Sequence, residues 1–292
     1  MKTFTMIVFA VLLAMSGRAQ LNPQGSQYFF NPYLGNPALA GVDKGWAVSG
    51  AISAQLTDFD GGPLIQSLTL AYGSGEGKVG AGLLCYKERA GVIGRTVVKI
   101  AYAYHLPLDY EESFLDLGLT GGFLNDRIDF DRVKGDLEDE SLYDFNKRGS
   151  YLDGDFGIAF RNSVLTVQGS LPNLKRFLNR EFREIADRYL YMAGASYHYR
   201  IYTAVETVVS PMLVYRGVQH EADIWDAGVN VGFQNGKLMG SVVYHSTGSI
   251  TFGIGNIHEK KLSILAQYTN TTRDLKSYSN GQFEVAVKYS FR

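Results

Sequence analysis

From residue 44 onward polar and apolar side chains alternate through most of the chain, a pattern that predicts β-strands with two chemically different faces. It is clearest at 281–292, where Phe283, Val285, Val287, Tyr289 and Phe291 fall on one face and Glu284, Ala286, Lys288 and Ser290 on the other. As the free edge of a soluble sheet, so long an apolar strand would invite aggregation. It needs a partner. The simplest is the first strand of the same sheet, which would close a barrel whose apolar face meets lipid.

Residues 44–56 supply that first strand: Trp46, Val48, Ile52 and Leu56 alternate with Ala47, Ser49, Ser53 and Gln55. Further strands are predicted at 63–73, 77–86, 95–106, 112–124, 153–161, 163–170, 187–199, 201–209 (with an extension to 215), 222–234, 236–245, 249–256 and 260–270. In 95–106 the apolar face is Val98, Ile100, Tyr102, Tyr104 and Leu106, opposite Lys99, Ala101, Ala103 and His105. With 281–292 the count is fourteen, and an even number returns both termini to one side. The expected fold is all-β: a single closed antiparallel transmembrane barrel.

The connections follow the same logic. Those after even-numbered strands are short, at 74–76, 107–111, 162, 200, 235 and 257–259. Those after odd-numbered strands include 57–62, 87–94, 125–152, 171–186 and 271–280, with 246–248 the one tight exception. Outer-membrane barrels segregate short periplasmic turns from long external loops, which a soluble sandwich has no reason to do.

Two segments lie outside the alternation. Residues 1–19 read as a signal peptide: Lys2, the apolar run from Phe4 to Met15, then small Gly17 and Ala19. Residues 20–43 carry Pro23, Pro32 and Pro37 among Asn22, Asn31 and Asn36, with aromatic Tyr28, Phe29, Phe30 and Tyr33. Proline after asparagine disfavours helix and central strand. We expect an arm that packs into or beneath the barrel, seated at its periplasmic mouth by those aromatics, with the barrel itself spanning 44–292.

Composition changes this picture little. The 292 residues carry 28 basic and 29 acidic side chains, a net charge of -1, which argues against a nucleic-acid partner. Cys85 is the single cysteine, so no disulfide frame or lipidated N-terminal cysteine is available.

The arm and strands together resemble one family. Asn22-Pro23-Gln24, Ser26-Gln27-Tyr28, Phe30-Asn31-Pro32, Asn36-Pro37-Ala38 and Ala40-Gly41 are similar to the opening of the PorP/SprF outer-membrane proteins of Bacteroidota. Val79 to Leu83, Ala101 to His105, Gly118 to Phe123, Ser210-Pro211 and Val287 to Phe291 continue the likeness. The sequence departs from it at Asn22, Gly25 and Leu39 and in ending on Arg292 instead of an aromatic. The resemblance implies a non-enzymatic accessory of type IX secretion in the outer membrane. Its partners would be a secreted cargo protein of adhesin or gliding type, or that protein's C-terminal domain, and other type IX components. An alternative on the same barrel is a diffusion channel or apolar-solute transporter.

Candidate chemistry is sparse. His105, His198, His220, His245 and His258 show no metal-ligand spacing; three of them, His105, His198 and His245, take the lumen phase. No cofactor or metal is expected, and no Gly-x-Ser-x-Gly turn supports a hydrolase. The loop 125–152 is acidic, with Asp129, Asp131, Glu138 and Asp139 as partner-binding candidates, and its spacing does not fit an EF-hand. In 171–186, Asn173 is placed to cap a basic amphipathic helix bearing Arg176, Phe177, Arg180 and Phe182. That helix reads as a lid over the mouth, a partner-docking surface or a lipid contact.

Overall fold

In a computed structural model of the chain the described residues are 26–57, 61–109, 113–130, 146, 150–178, 189–202, 205–218, 223–234, 237–259, 261–271 and 279–291. Asn22, Pro23, Gln24, Asp131, Glu138, Asp139, Arg180 and Phe182 lie outside them, as does residues 1–19 as a whole. One antiparallel sheet contains every strand: β1 (Gly45–Thr57), β2 (Leu64–Gly73), β3 (Val79–Ala90), β4 (Ile93–Pro107), β5 (Phe114–Ile128), β6 (Ser150–Arg161) and β7 (Leu165–Leu171). After these come β8 (Tyr189–Tyr197), β9 (Tyr199–Ile201), β10 (Thr207–Val218), β11 (Ile224–Phe233), β12 (Leu238–His245), β13 (Ile250–His258), β14 (Leu262–Thr269) and β15 (Ser279–Phe291). Trp46 of β1 lies opposite Phe291 of β15 and Gln55 opposite Gln282, so the last strand closes the sheet on the first. Three-residue β9 continues β8 along the same side of β10, leaving fourteen strands around the wall.

Closure follows from the two faces that period two creates. On β4 burial alternates without a break from Arg95 to Leu106: Arg95, Val97, Lys99, Ala101, Ala103 and His105 point inward, while Val98, Ile100, Tyr102, Tyr104 and Leu106 are exposed. The outward apolar run from Val98 to Leu106 is about the length of strand that crosses a bilayer. Aromatic side chains gather where such walls meet water. Trp46 and Tyr72 (ring centroids 4.7 Å apart) and Tyr289 and Phe291 (4.8 Å) mark the end with the short turns. Trp225 and Tyr244 (5.5 Å), with Tyr191 and Tyr215 (6.2 Å), mark the other.

Three boundaries differ from expectation by three residues or more; at one of them β5 runs on to Ile128 and β6 starts at Ser150, both inside the loop expected at 125–152. Instead of a loop at 87–94, β3 and β4 run on to a two-residue turn in which Gly91 takes a positive φ of 60°. Lys87 and Arg89 are outward-phase strand residues whose charge reflects their height above the lipid, since a strand continues past the apolar belt, while Glu88 between them takes the inward phase. The turn expected at Arg200 falls later: Tyr199–Ile201 still pairs with Thr207–Val209, and the ninth wall strand is Thr207–Val218. The break comes at His198, whose backbone N–H donates to the Val164 carbonyl (2.6 Å), and the strand resumes in the same register against β10.

Candidate functional site

The lumen is where the unusual residues converge. Residues 26–41 lie inside the barrel, and Ser26, Gln27, Tyr28, Phe30, Asn31, Tyr33, Leu34, Asn36, Pro37, Ala38, Leu39 and Ala40 are buried. Their prolines and asparagines explain the local shape. Pro37 opens a 3-10 turn (Pro37–Leu39) capped by Asn36, whose side-chain oxygen accepts from the Ala38 N–H at 3.0 Å. Pro32 opens the turn before it (Pro32–Leu34); there Asn31 leaves the cap and donates instead to Thr69 of β2 at 2.9 Å. Compact turns of this kind leave polar atoms that only the surrounding wall can satisfy.

The wall does so at many heights. Near the short-turn end, which is the periplasmic one in outer-membrane barrels, Gly41 crosses Tyr72 and Gly73 at the foot of β2. Higher up, Asn36 donates to Gln168 (3.1 Å) and to the carbonyls of Ile158 and Gly169 (3.2 Å each), and Ser170 donates to the Gly35 carbonyl (2.9 Å). Tyr28 donates to Asp226 of β11, and Ser26 meets Thr251 of β13 at 3.1 Å. Asp226 and Thr251 sit at the loop ends of their strands. The expected seat at one mouth thus describes only the Gly41 end of the arm, which runs through the lumen to the level of the external loops.

Glycines in the wall make the passage fit. A β-carbon on Gly80 would lie 1.9 Å from the Ala40 carbonyl oxygen, on Gly118 2.3 Å from the Ala38 nitrogen, and on Gly157 2.0 Å from the Asn36 side-chain oxygen. Tyr33 lies against Gly82 in the same way. Among the described residues its buried hydroxyl has no hydrogen-bond partner.

Around the arm most of the described lumen charges are paired; buried Glu284 and Asp153 are the acids without a basic partner among the described residues. Arg95 and Asp126 form a bidentate pair, with one contact of 2.8 Å; Lys99 reaches Asp155 at 2.7 Å; and Asp116 holds both His105 and Arg161 at 2.7 Å. On the opposite wall Asp226 binds Arg216, Tyr28 and, at 2.7 Å, His245. His198 contacts Ser210 (2.9 Å). Between Tyr33, Lys99, Asp155 and Asn173 a cavity of about 50 Å³ remains, room for water and too small for a sugar.

The sequence-derived partner candidates are dispersed. Asp129 is exposed at the start of the long external loop, while Asp126, grouped with the acidic loop by composition, is buried in the lumen. Arg176 and Phe177 belong to the five-residue helix α1 (Leu174–Leu178). That helix begins inside the wall: the Asn173 and Lys175 N–H groups donate to Asp155 (3.0 Å) and Asp153 (2.8 Å), and the Lys175 ammonium lies over the Tyr151 ring. The closing-strand residues Phe283, Val285, Val287, Tyr289 and Phe291 all face outward and are exposed. Composition did not single out Asp116, Asp155, Arg216 or Asp226, yet a charged residue at the inward phase of each strand was the available signal.

A closed barrel with an apolar belt, aromatic girdles and a polar interior defines an outer-membrane β-barrel protein. The chain belongs to the type IX secretion system membrane proteins PorP/SprF, whose family model matches residues 17–289. Among curated proteins none matches. Similar solved structures include the outer membrane protein Omp33 of Acinetobacter baumannii (8% identity, TM-score 0.48, 86% of this chain and 100% of that one). Others are the KdgM porin (10%, 0.43, 84% and 99%) and the CymD monoaromatic hydrocarbon channel (10%, 0.48, 94% and 95%).

Proposed function

We propose that this protein serves type IX secretion as a plugged, non-enzymatic platform that binds, anchors or helps export one secreted surface protein of adhesin or gliding type. The observation that carries the reading is the arm: a lumen crossed by residues 26–41 and braced by ion pairs is built for holding. On this reading the partner, a cargo protein or its C-terminal domain, meets the external loops between β5 and β6 and between β7 and β8. Asp129, Asp131, Glu138 and Asp139 would contribute from the first and Arg176, Phe177, Arg180 and Phe182 from the second. Other type IX components would dock on the same assembly.

The test is purification from gently solubilised membranes through a tag in an external loop, followed by identification of what accompanies the protein. A large secreted surface protein, lost when either loop is replaced by a short glycine-serine linker, is the expected result. A protein that emerges alone and carries steady current in a planar bilayer would overturn the platform and establish the channel.

A further inference from the structure

The outward wall of β2 to β5 changes character abruptly near the external rim. Leu68, Cys85, Val98 and Phe123 are direct neighbours across the four strands and form a wholly apolar row. Two residues further toward the loops, the row Gln66, Lys87, Thr96, Asn125 is wholly polar, and the next is Leu64, Arg89, Gly94, Arg127. With side chains repeating every two residues on a tilted strand, each row rises about 5 Å, so both polar rows fall within the headgroup layer. On β8 and β10 to β12 the same rim carries Tyr191, Tyr215, Trp225 and Tyr244. The rim from β2 to β5 is therefore cationic where the rim from β8 to β12 is aromatic.

These rows enclose a hollow of about 460 Å³, within the range of a small-ligand site. Gly94 leaves it open, standing between Arg89 and Arg127 with no side chain. Among the described residues no ion pair uses Lys87, Arg89 or Arg127, and the Arg89 Nε is sealed from solvent without a hydrogen-bond partner. Asp129 is the one acid on its lining. Guanidinium forks match phosphate oxygens, and three cations facing a single acid call for a further anion.

We infer that this hollow binds the phosphorylated sugar headgroup of an outer-leaflet glycolipid, its acyl chains lying on the row of Leu68, Cys85, Val98 and Phe123. The anion must come with a lipid tail, because the cations stand directly above the apolar belt and face outward, away from the lumen. Such a lipid would hold this wall at a fixed height and orient the external loops above it.

The experiment is native mass spectrometry of the detergent-purified protein with bisphosphorylated lipid A or its phosphate-free counterpart. The intact protein should retain the phosphorylated lipid at least tenfold better. The double variant Arg89→Gln with Arg127→Gln should lose that preference. Gly94→Leu, where an added β-carbon meets nothing nearer than the Arg127 carbonyl oxygen at 3.9 Å, should fill the hollow and lower retention with every charge in place. Heat-modifiable gel mobility checks that each variant is a closed barrel, and if the double variant is not, Gly94→Leu decides. Equal retention of the two lipids, or unchanged retention in the folded variants, would overturn the inference. So would displacement of the lipid by an equimolar amount of inorganic phosphate, which would assign the site to a free anion.

Discussion

Asn36 of the arm lies so close to Gly157 of β6 that a β-carbon on the glycine would sit 2.0 Å from the asparagine side-chain oxygen. Wall and arm are complementary at this point, and the complementarity can be broken from either side. Gly157→Val should expel the middle of the arm while leaving the strand, whose β-propensity valine favours, in place. A cysteine introduced at Ala38, buried in the intact protein, should then react with a membrane-impermeant thiol reagent at least tenfold faster. Truncating Asn36 to Ala in the same chain should restore part of the protection, because it removes the nearest clash; Pro37 and Ala38 remain close. Equal labelling with and without the valine would contradict the fit.

Deleting residues 20–41 should turn a quiet barrel into a conducting one. The arm bonds to three separate parts of the wall, through Asn31 to Thr69 of β2, through Asn36 to Gln168 of β7 and through Ser26 to Thr251 of β13, and its removal leaves a water-filled fourteen-stranded lumen. Planar-bilayer recordings should show discrete current steps absent from the intact protein. The deletion should also lower the temperature at which the barrel unfolds, since Phe30 loses its contacts with Ala51, Leu265 and Ala286. A deletion without effect on either measurement would show that the arm neither plugs nor braces.

Asp226 holds three lumen side chains, Tyr28, Arg216 and His245, and it separates a costly ion pair from a cheap one. Asp226→Asn takes the Asp226 carboxylate charge away from buried Arg216 and weakens the bonds from His245 and Tyr28. Removing one member of such a pair costs about 3–5 kcal/mol. Lys288 and Asp43 are 3.0 Å apart but partly exposed, at 23% and 51% of the side chain, so Lys288→Gln should cost less than about 1 kcal/mol. Urea unfolding followed by tryptophan fluorescence in lipid vesicles would rank the two, and the reverse order would be unexpected.

Phe291 packs edge-on against Tyr289 with ring centroids 4.8 Å apart and is 55% exposed toward lipid. It stands one place from the chain end, opposite Trp46 across the closing seam. Phe291→Ala should reduce the folded fraction in the membrane several-fold, through lost aromatic anchoring of about 1 kcal/mol and a weaker last strand. Heat-modifiable mobility of membrane fractions measures that fraction. Phe291→Tyr, which keeps the ring, should rescue it.

What the sequence determined by itself was the wall. In an extended chain the direction of each side chain is a local property, so period two in the residues fixes strands, faces and phase: His105 and Lys99 inward, Ile100 and Tyr102 outward. It misplaced strand ends where that local signal changes meaning, as at Lys87 and Arg89, whose charge reads as loop although the strand continues above the lipid. The tertiary structure alone decided where the arm goes. Residues 26–41 have no period, their polar atoms are satisfied by wall residues as far as 241 positions away, as between Gln267 and Ser26, and their fit depends on glycines on four different strands. The acid–base pairs are local by comparison: Arg95 faces Asp126 and His105 faces Asp116 across β4 and β5, and Asp226 faces His245 across β11 and β12, so what the structure had to decide was strand register, which is set only when neighbouring strands pair.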